Sequence, residues 1–345
     1  MNIKELAVYC GVSVSTVSRV LNDHPDVSEP VRKKVQEAAR KFHYVPNNSA
    51  RDLVRPKSDA VGLIVRGAGN PFFTSLINTI EKDLSTEGYS MVLHQIKSED
   101  DELAAAASLI RSKRLLGVIL LGGRFDYTPE EIASLEVPFV CCTFTNSFGT
   151  LEKKNYASVS IDDEKEAYRA VKDLTDLGHR KIAVLLDSKQ DHSISELRYN
   201  GYKRALSEAG IEADEDLAAE CIEYEMGSAY REMKRLLERR PDVTAVFAIA
   251  DSLAIAALKA IAEDGRKIPE DCSLIAIDGI EMSKYTVPTL TTLVQPNEEI
   301  GKRAVRILTE IIGGKTGERH VYLSTVLREG GTVGPALSVS RPLSD

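Results

Sequence analysis

The chain of 345 residues has no tryptophan, 6% aromatic residues and five cysteines. Cys10, Cys141, Cys142, Cys221 and Cys272 form an odd set without a CxxC pair. That argues against a disulfide framework or a structural zinc site and points to a reducing compartment. The six histidines are scattered without metal-ligand spacing. No apolar run is long enough to cross a bilayer, and Met1-Asn2-Ile3-Lys4 leads into an amphipathic segment rather than an apolar leader. A cytoplasmic protein without membrane contact is expected. No GxGxxG follows a strand, and Gly314-Lys315-Thr316 echoes a phosphate loop whose first glycine would fall on Thr309. No nucleophile and base stand out as a pair. The chain therefore reads as a non-enzyme without a cofactor.

A net positive charge is also lacking, except at one end. Residues 1–58 hold ten Lys or Arg against six Asp or Glu, a balance of +4; the rest holds 34 against 46, or −12. An acidic body repels phosphate, which leaves the N-terminal segment as the surface suited to a polyanion. Ile3, Leu6 and Ala7 recur at helical spacing, so residues 3–10 suit a first helix. Gly11 can take the left-handed conformation that ends it. Ser13 suits the N-cap of a second helix whose Val17, Val20 and Leu21 face inward. Val14, Ser15, Ser18 and Arg19 point elsewhere. A short helix presenting small polar residues and one arginine suits the major groove.

A third helix is expected after Ser28, with Pro30 in its first turn and Val31, Val35, Ala38, Ala39 and Phe42 inward. Pro46 ends it. Asn47 can cap one further turn reaching Leu53 or Val54, before the basic linker Arg55-Pro56-Lys57-Ser58. So short a helix is unstable alone and would form against a partner.

From residue 59 on, short β-rich runs alternate with amphipathic helices. Strands are expected at 60–65, 90–93, 117–121, 138–142, 157–161, 181–186, near 220–224, 245–249 and 273–277. Helices are expected at 74–84, 102–112, 164–177, 197–209, 227–237, 253–262 and 298–312. This order implies an α/β body of two parallel sheets with right-handed crossovers, which bind ligands beyond the carboxyl ends of the strands.

The motifs Val12-Ser13-x-x-Thr16-Val17-Ser18-Arg19-Val20-Leu21-Asn22 and Tyr44-x-Pro46-Asn47-x-x-Ala50-Arg51-x-Leu53 resemble those of the LacI/GalR family of bacterial repressors. Asn70-Pro71-Phe72-Phe73, Asp162, Gly178-His179-Arg180, Arg198-x-x-Gly201, Asp278 and Pro288-x-Leu290-Thr291-Thr292 extend the resemblance over the body. It implies a helix-turn-helix headpiece (1–45), a hinge helix and linker (46–58), and a two-lobed periplasmic-binding-protein-like domain (59–345). Lobe 1 would span about 59–160 and 291–321, and lobe 2 about 161–290 and 322–345. DNA contacts carry over to Ser13, Val14, Ser15, Thr16, Ser18 and Arg19, and to Asn47, Ala50, Arg51 and Leu53 in the hinge. Arg19 can bond guanine bidentately, Val14 can meet a thymine methyl, and Leu53 can wedge into the minor groove.

Effector candidates are the aromatic faces of Phe72, Phe73 and Tyr224, the paired donors of Arg198, and the acceptors Asp251 and Asp278, with His192 and Asp162 beside them. Many acceptors with a single arginine favour a neutral polyhydroxylated ligand, a carbohydrate. Ala250 stands where sugar-binding relatives often have a polar side chain, and Thr143-Phe144 where an Asp-Arg pair is common, which keeps a purine, nucleoside or sugar phosphate open. With no leucine heptad, the resemblance implies a homodimer on near-palindromic operator DNA. A transporter's solute receptor is the rival reading; it leaves the basic N-terminal segment unexplained.

Overall fold

The computed structural model describes residues 2–21, 24–42, 59–67, 69–190 and 192–336. The expected hinge residues Asn47, Ala50, Arg51 and Leu53 lie outside them. The chain divides into two compact units, residues 1–58 and 59–345.

In the first unit, α1 (Ile3–Cys10), α2 (Val14–Leu21) and α3 (Glu29–Lys41) enclose Leu6, Ala7, Cys10, Val17, Val20, Val35 and Ala38. Asn2 and Glu5 cap α1 reciprocally, and Gly11 turns out of it at φ 63°. Ser13 Oγ accepts the Thr16 N–H at 3.1 Å, which satisfies one open donor of α2. Pro30 lies in the first turn of α3, but the Ser28 side chain makes no cap bond.

The second unit holds two sheets, each of six strands among the described residues. The first contains β1 (Ala60–Arg66), β2 (Ser90–Ile96), β3 (Gly117–Leu121), β4 (Phe139–Cys142), β5 (Ala157–Ile161) and β11 (His320–Leu323), in the order β11-β5-β4-β3-β1-β2. The second contains β6 (Ile182–Leu186), β7 (Ala218–Glu220), β8 (Ala245–Ala248), β9 (Ser273–Asp278), β10 (Thr291–Val294) and β12 (Val326–Arg328), in the order β12-β10-β9-β8-β6-β7. Pairing is parallel except for β12 on β10. Strands covered by helices on both faces are apolar throughout, as in β3, where every residue is buried.

The helices of this unit are α4 (Phe72–Thr86), α5 (Glu102–Lys113), α6 (Pro129–Ile132), α7 (Asp163–Asp176), α8 (Ile194–Glu208), α9 (Met226–Arg239), α10 (Asp251–Glu263) and α11 (Asn297–Ile312). On α4, Leu76, Ile80 and Leu84 recur every fourth residue and are fully buried against β1 and α11 residues. Each such side chain stabilises the lobe by roughly 1.5–3 kcal/mol.

Three expectations are corrected. The return to lobe 1 does not come at Thr291, because 291–294 pairs with β9 in the second sheet; it follows at 295–296. Tyr322 is likewise still in lobe 1, paired with Ser160, so the last crossing is at 324–325. The expected strand near 220–224 ends at Glu220, and Ile222–Tyr224 is a 3-10 turn.

Candidate functional site

On α2, Val17 and Val20 are buried, while Val14 is 40% exposed, with Ser15 and Arg19 also exposed. Arg19 Nη1 pairs with Asp26 at 2.9 Å. The Ser13 hydroxyl is drawn into a cluster with Ser15 Oγ at 2.7 Å and Thr16 Oγ1 at 2.8 Å. The outward face therefore offers one apolar knob, a set of hydroxyls and a guanidinium, groups chemically able to meet base edges.

In the second unit, a cleft of about 790 Å³ opens where the carboxyl ends of strands from both sheets meet. Arg66, Gly122 and Thr143 line it from the ends of β1, β3 and β4, and Asp187 and Asp278 from the ends of β6 and β9. Phe72, Phe73, Phe125 and Tyr224 add aromatic surface.

Its polar floor is organised by Arg198, which is 1% exposed. Nε donates to Asp163 Oδ1 at 3.0 Å, and Nη1 to Ile249 O and, at 3.4 Å, to Asp278 Oδ1. Gln295 Nε2 donates to the same Asp278 oxygen at 2.9 Å. Asp278 Oδ2 and Ser252 Oγ, both buried, have no hydrogen-bond partner among the described residues. Burial pushes Asp278 up to about 7 against the opposing pull of Arg198, and pushes Asp163 up to about 6. Thr143, Tyr224 and Asp278 all hold positive φ (72°, 56° and 136°), a backbone strain concentrated around the cleft.

Residues 2–47 match the bacterial regulatory proteins of the lacI family, and residues 171–333 match the periplasmic binding protein-like domain. The HTH-type transcriptional regulator MalR of Clostridium butyricum is 39% identical over 331 residues, 95% of this chain and 98% of that protein. The chain belongs to the LacI family of bacterial transcriptional regulators. The HTH-type transcriptional repressor PurR of Aliivibrio salmonicida is 31% identical over 324 residues, covering 93% of this chain and 95% of that protein. Among solved structures, a transcriptional regulator CelR–cellobiose complex superposes with a TM-score of 0.70 at 29% identity, covering 96% of this chain and 99% of that one.

Of the effector candidates in this LacI-family regulator, Phe72, Phe73, Arg198, Tyr224 and Asp278 share the cleft. Three do not line it. Asp162 turns back to cap α7, accepting the Lys165 N–H at 3.1 Å. Asp251 is an internal strut: its carboxylate accepts Ile280 N–H at 2.9 Å, Ser283 O–H at 2.7 Å and Thr292 O–H at 2.5 Å. His192 stands at the rim, 3.4 Å from Asp126 and stacked on Phe148.

Sequence reasoning missed Arg66, Phe125, Ser252 and Gln295, which also line the cleft. Arg66 and Ser252 carried a usable signal, since they stand at the end of one strand and at the start of the helix after another. Gln295 carried none, because its role follows from the lobe crossing.

Proposed function

We propose that this LacI-family regulator is a repressor whose operator affinity is set by a neutral, polyhydroxylated ligand of about disaccharide size in the interlobe cleft. The observation carrying this reading is that two buried polar atoms of the cleft lining, Asp278 Oδ2 and Ser252 Oγ, lack hydrogen-bond partners among the described residues, beside aromatic faces. Buried polar atoms without partners are costly, and a hydroxyl-bearing ligand supplies the missing bonds. Charge agrees: Arg66, Lys97 and Arg198 line the cleft against Glu99, Asp187, Glu225 and Asp278, a balance hostile to a phosphate dianion. The volume suits a compact organic ligand. Two copies would place their α2 helices on the half-sites of a near-palindromic operator, with Arg19, Val14 and Ser15 toward the bases. A regulator that binds DNA in this way would act in the cytoplasm. Among the described residues, no helix is long and apolar enough to cross a membrane.

The test is a thermal-shift screen of the full chain with cellobiose, maltose, ribose, glucose 6-phosphate, adenosine and hypoxanthine. A ligand at 100 times its Kd stabilises the fold by about 2.7 kcal/mol. A disaccharide hit that also changes binding to a selected operator supports the reading. A purine hit with silent sugars replaces the ligand class.

A further inference from the structure

His192 and Asp126 belong to different lobes, one on the segment leading into α8 and the other on the segment after β3. Around them, one rim of the cleft is held shut by several independent contacts. Phe125 N–H of lobe 1 donates to His192 O of lobe 2 at 3.2 Å. His192 Nδ1 lies 3.4 Å from Asp126 Oδ2. The imidazole stacks on Phe148 of lobe 1 with ring centres 5.0 Å apart and planes 20° apart. Just beyond, Ile194 and Leu197 at the start of α8 pack against the lobe 1 core that contains Phe125 and Phe144.

Both sides of this junction are braced within their own lobes. On the lobe 2 side, the Glu196 carboxylate accepts His192 N–H at 2.9 Å, and His192 sits at φ 53°. On the lobe 1 side, Phe125 O accepts Phe148 N–H at 2.8 Å, while Arg124 lies 3.8 Å from Asp126 and 2.8 Å from Glu131. A strained, braced residue reaching across a cleft is a positioning device rather than a loop in transit. The cleft begins at the next residues, because Phe125, Ser193 and Ile194 all line it.

We propose that His192 is an interlobe latch: through Asp126, Phe148 and its own carbonyl it holds the closed arrangement and sets how long a ligand stays in the cleft. It acts by position and does not touch the ligand. The latch rests on the geometry between the lobes and does not depend on the ligand being a sugar.

The test uses the full chain with His192→Asn, Asp126→Ala and both together. Asparagine tolerates positive φ, so that variant removes the ring while keeping the turn and its carbonyl. Without ligand, amide exchange at Phe125 and Phe148 should quicken roughly 5–30-fold in each single variant, while amides of β1 and β6 keep their protection. With cellobiose or maltose as the probe, release should quicken roughly 5–20-fold with association changed by less than about twofold. The double variant should release no faster than the faster single one, because the two side chains share one contact. Unchanged exchange at Phe125 and Phe148 overturns the latch, as does strict additivity in the double variant. If neither sugar binds the unsubstituted chain, the saccharide reading fails and the exchange comparison alone decides the latch.

Discussion

Arg198 meets Asp278 at 3.4 Å through one carboxylate oxygen, and the other, buried oxygen has no hydrogen bond among the described residues. The arginine thus aims an acceptor rather than consuming it. Asp163 on the opposite side, 2.9 Å from Nη2, keeps the guanidinium in place. Removing a buried cation from between two carboxylates costs about 3–5 kcal/mol, so Arg198→Ala should melt far lower in calorimetry. Arg198→Lys retains the charge but cannot span both carboxylates with fixed geometry. We expect it to fold and to bind effector roughly tenfold or more weakly. An Arg198→Lys variant with unchanged affinity by titration calorimetry would remove Arg198 from the site.

Effector affinity should depend on pH through Asp278. Burial raises this carboxyl to about 7, so it is largely protonated at pH 6. The ionised form accepts a ligand hydroxyl more strongly than the protonated one, so affinity should fall as pH drops below 7. The stability sign runs the other way. A carboxyl whose folded pKa is raised contributes stability that is full below the unfolded value near 3.9 and is lost as pH climbs through about 7. Asp163, raised to about 6, acts in the same direction. Asp278→Asn should therefore gain thermal stability relative to the unsubstituted chain between pH 5 and 8 and lose ligand binding across that range. A flat affinity profile in the unsubstituted chain would contradict the role given to Asp278.

The strands that frame the cleft were legible because parallel strands buried on both faces are written as apolar runs, as in Gly117–Leu121. What the sequence located was the level of the cleft, at the carboxyl ends of strands, and Arg198 and Asp278 follow from that. It did not tell which way a strand-end carboxylate turns. Asp162 and Asp251 stand at equivalent places, yet one caps its helix and the other braces residues 280–292. That choice is made by donors distant in sequence. Thr291–Val294 is not among the expected strands, and both its strand and its lobe are fixed by its pairing with Ile275–Asp278.

Asp251 joins the start of α10, the turn after β9 and strand β10 through its three accepted bonds. Its neighbours Ser252 and Asp278 face the cleft, and Ile280 packs against the lobe 1 core. Thr292→Val removes one donor and should cost about 1–3 kcal/mol in denaturant unfolding. Ligand affinity should then stay within about twofold, since the Ile280 and Ser283 bonds remain. Asp251→Asn weakens all three bonds and should lose both stability and effector response. If Asp251→Asn left the response intact, the strut would have no part in positioning the cleft.

Arg19 tests the DNA-reading face. In the free protein its guanidinium is paired with Asp26 at 2.9 Å, with both side chains about half exposed, so the pair adds little stability. Reading a guanine requires Arg19 to leave Asp26, and Asp26 then lies close to DNA as a repelling charge. Asp26→Asn should tighten binding to every sequence, and most to the selected operator. Arg19→Ala should weaken binding to a selected operator by about 1–3 kcal/mol and flatten the preference at one base pair in each half-site. Binding isotherms on the selected operator and on a duplex substituted at that pair measure both effects. Equal loss on the two duplexes would make Arg19 a phosphate contact and move base reading to Val14 and Ser15.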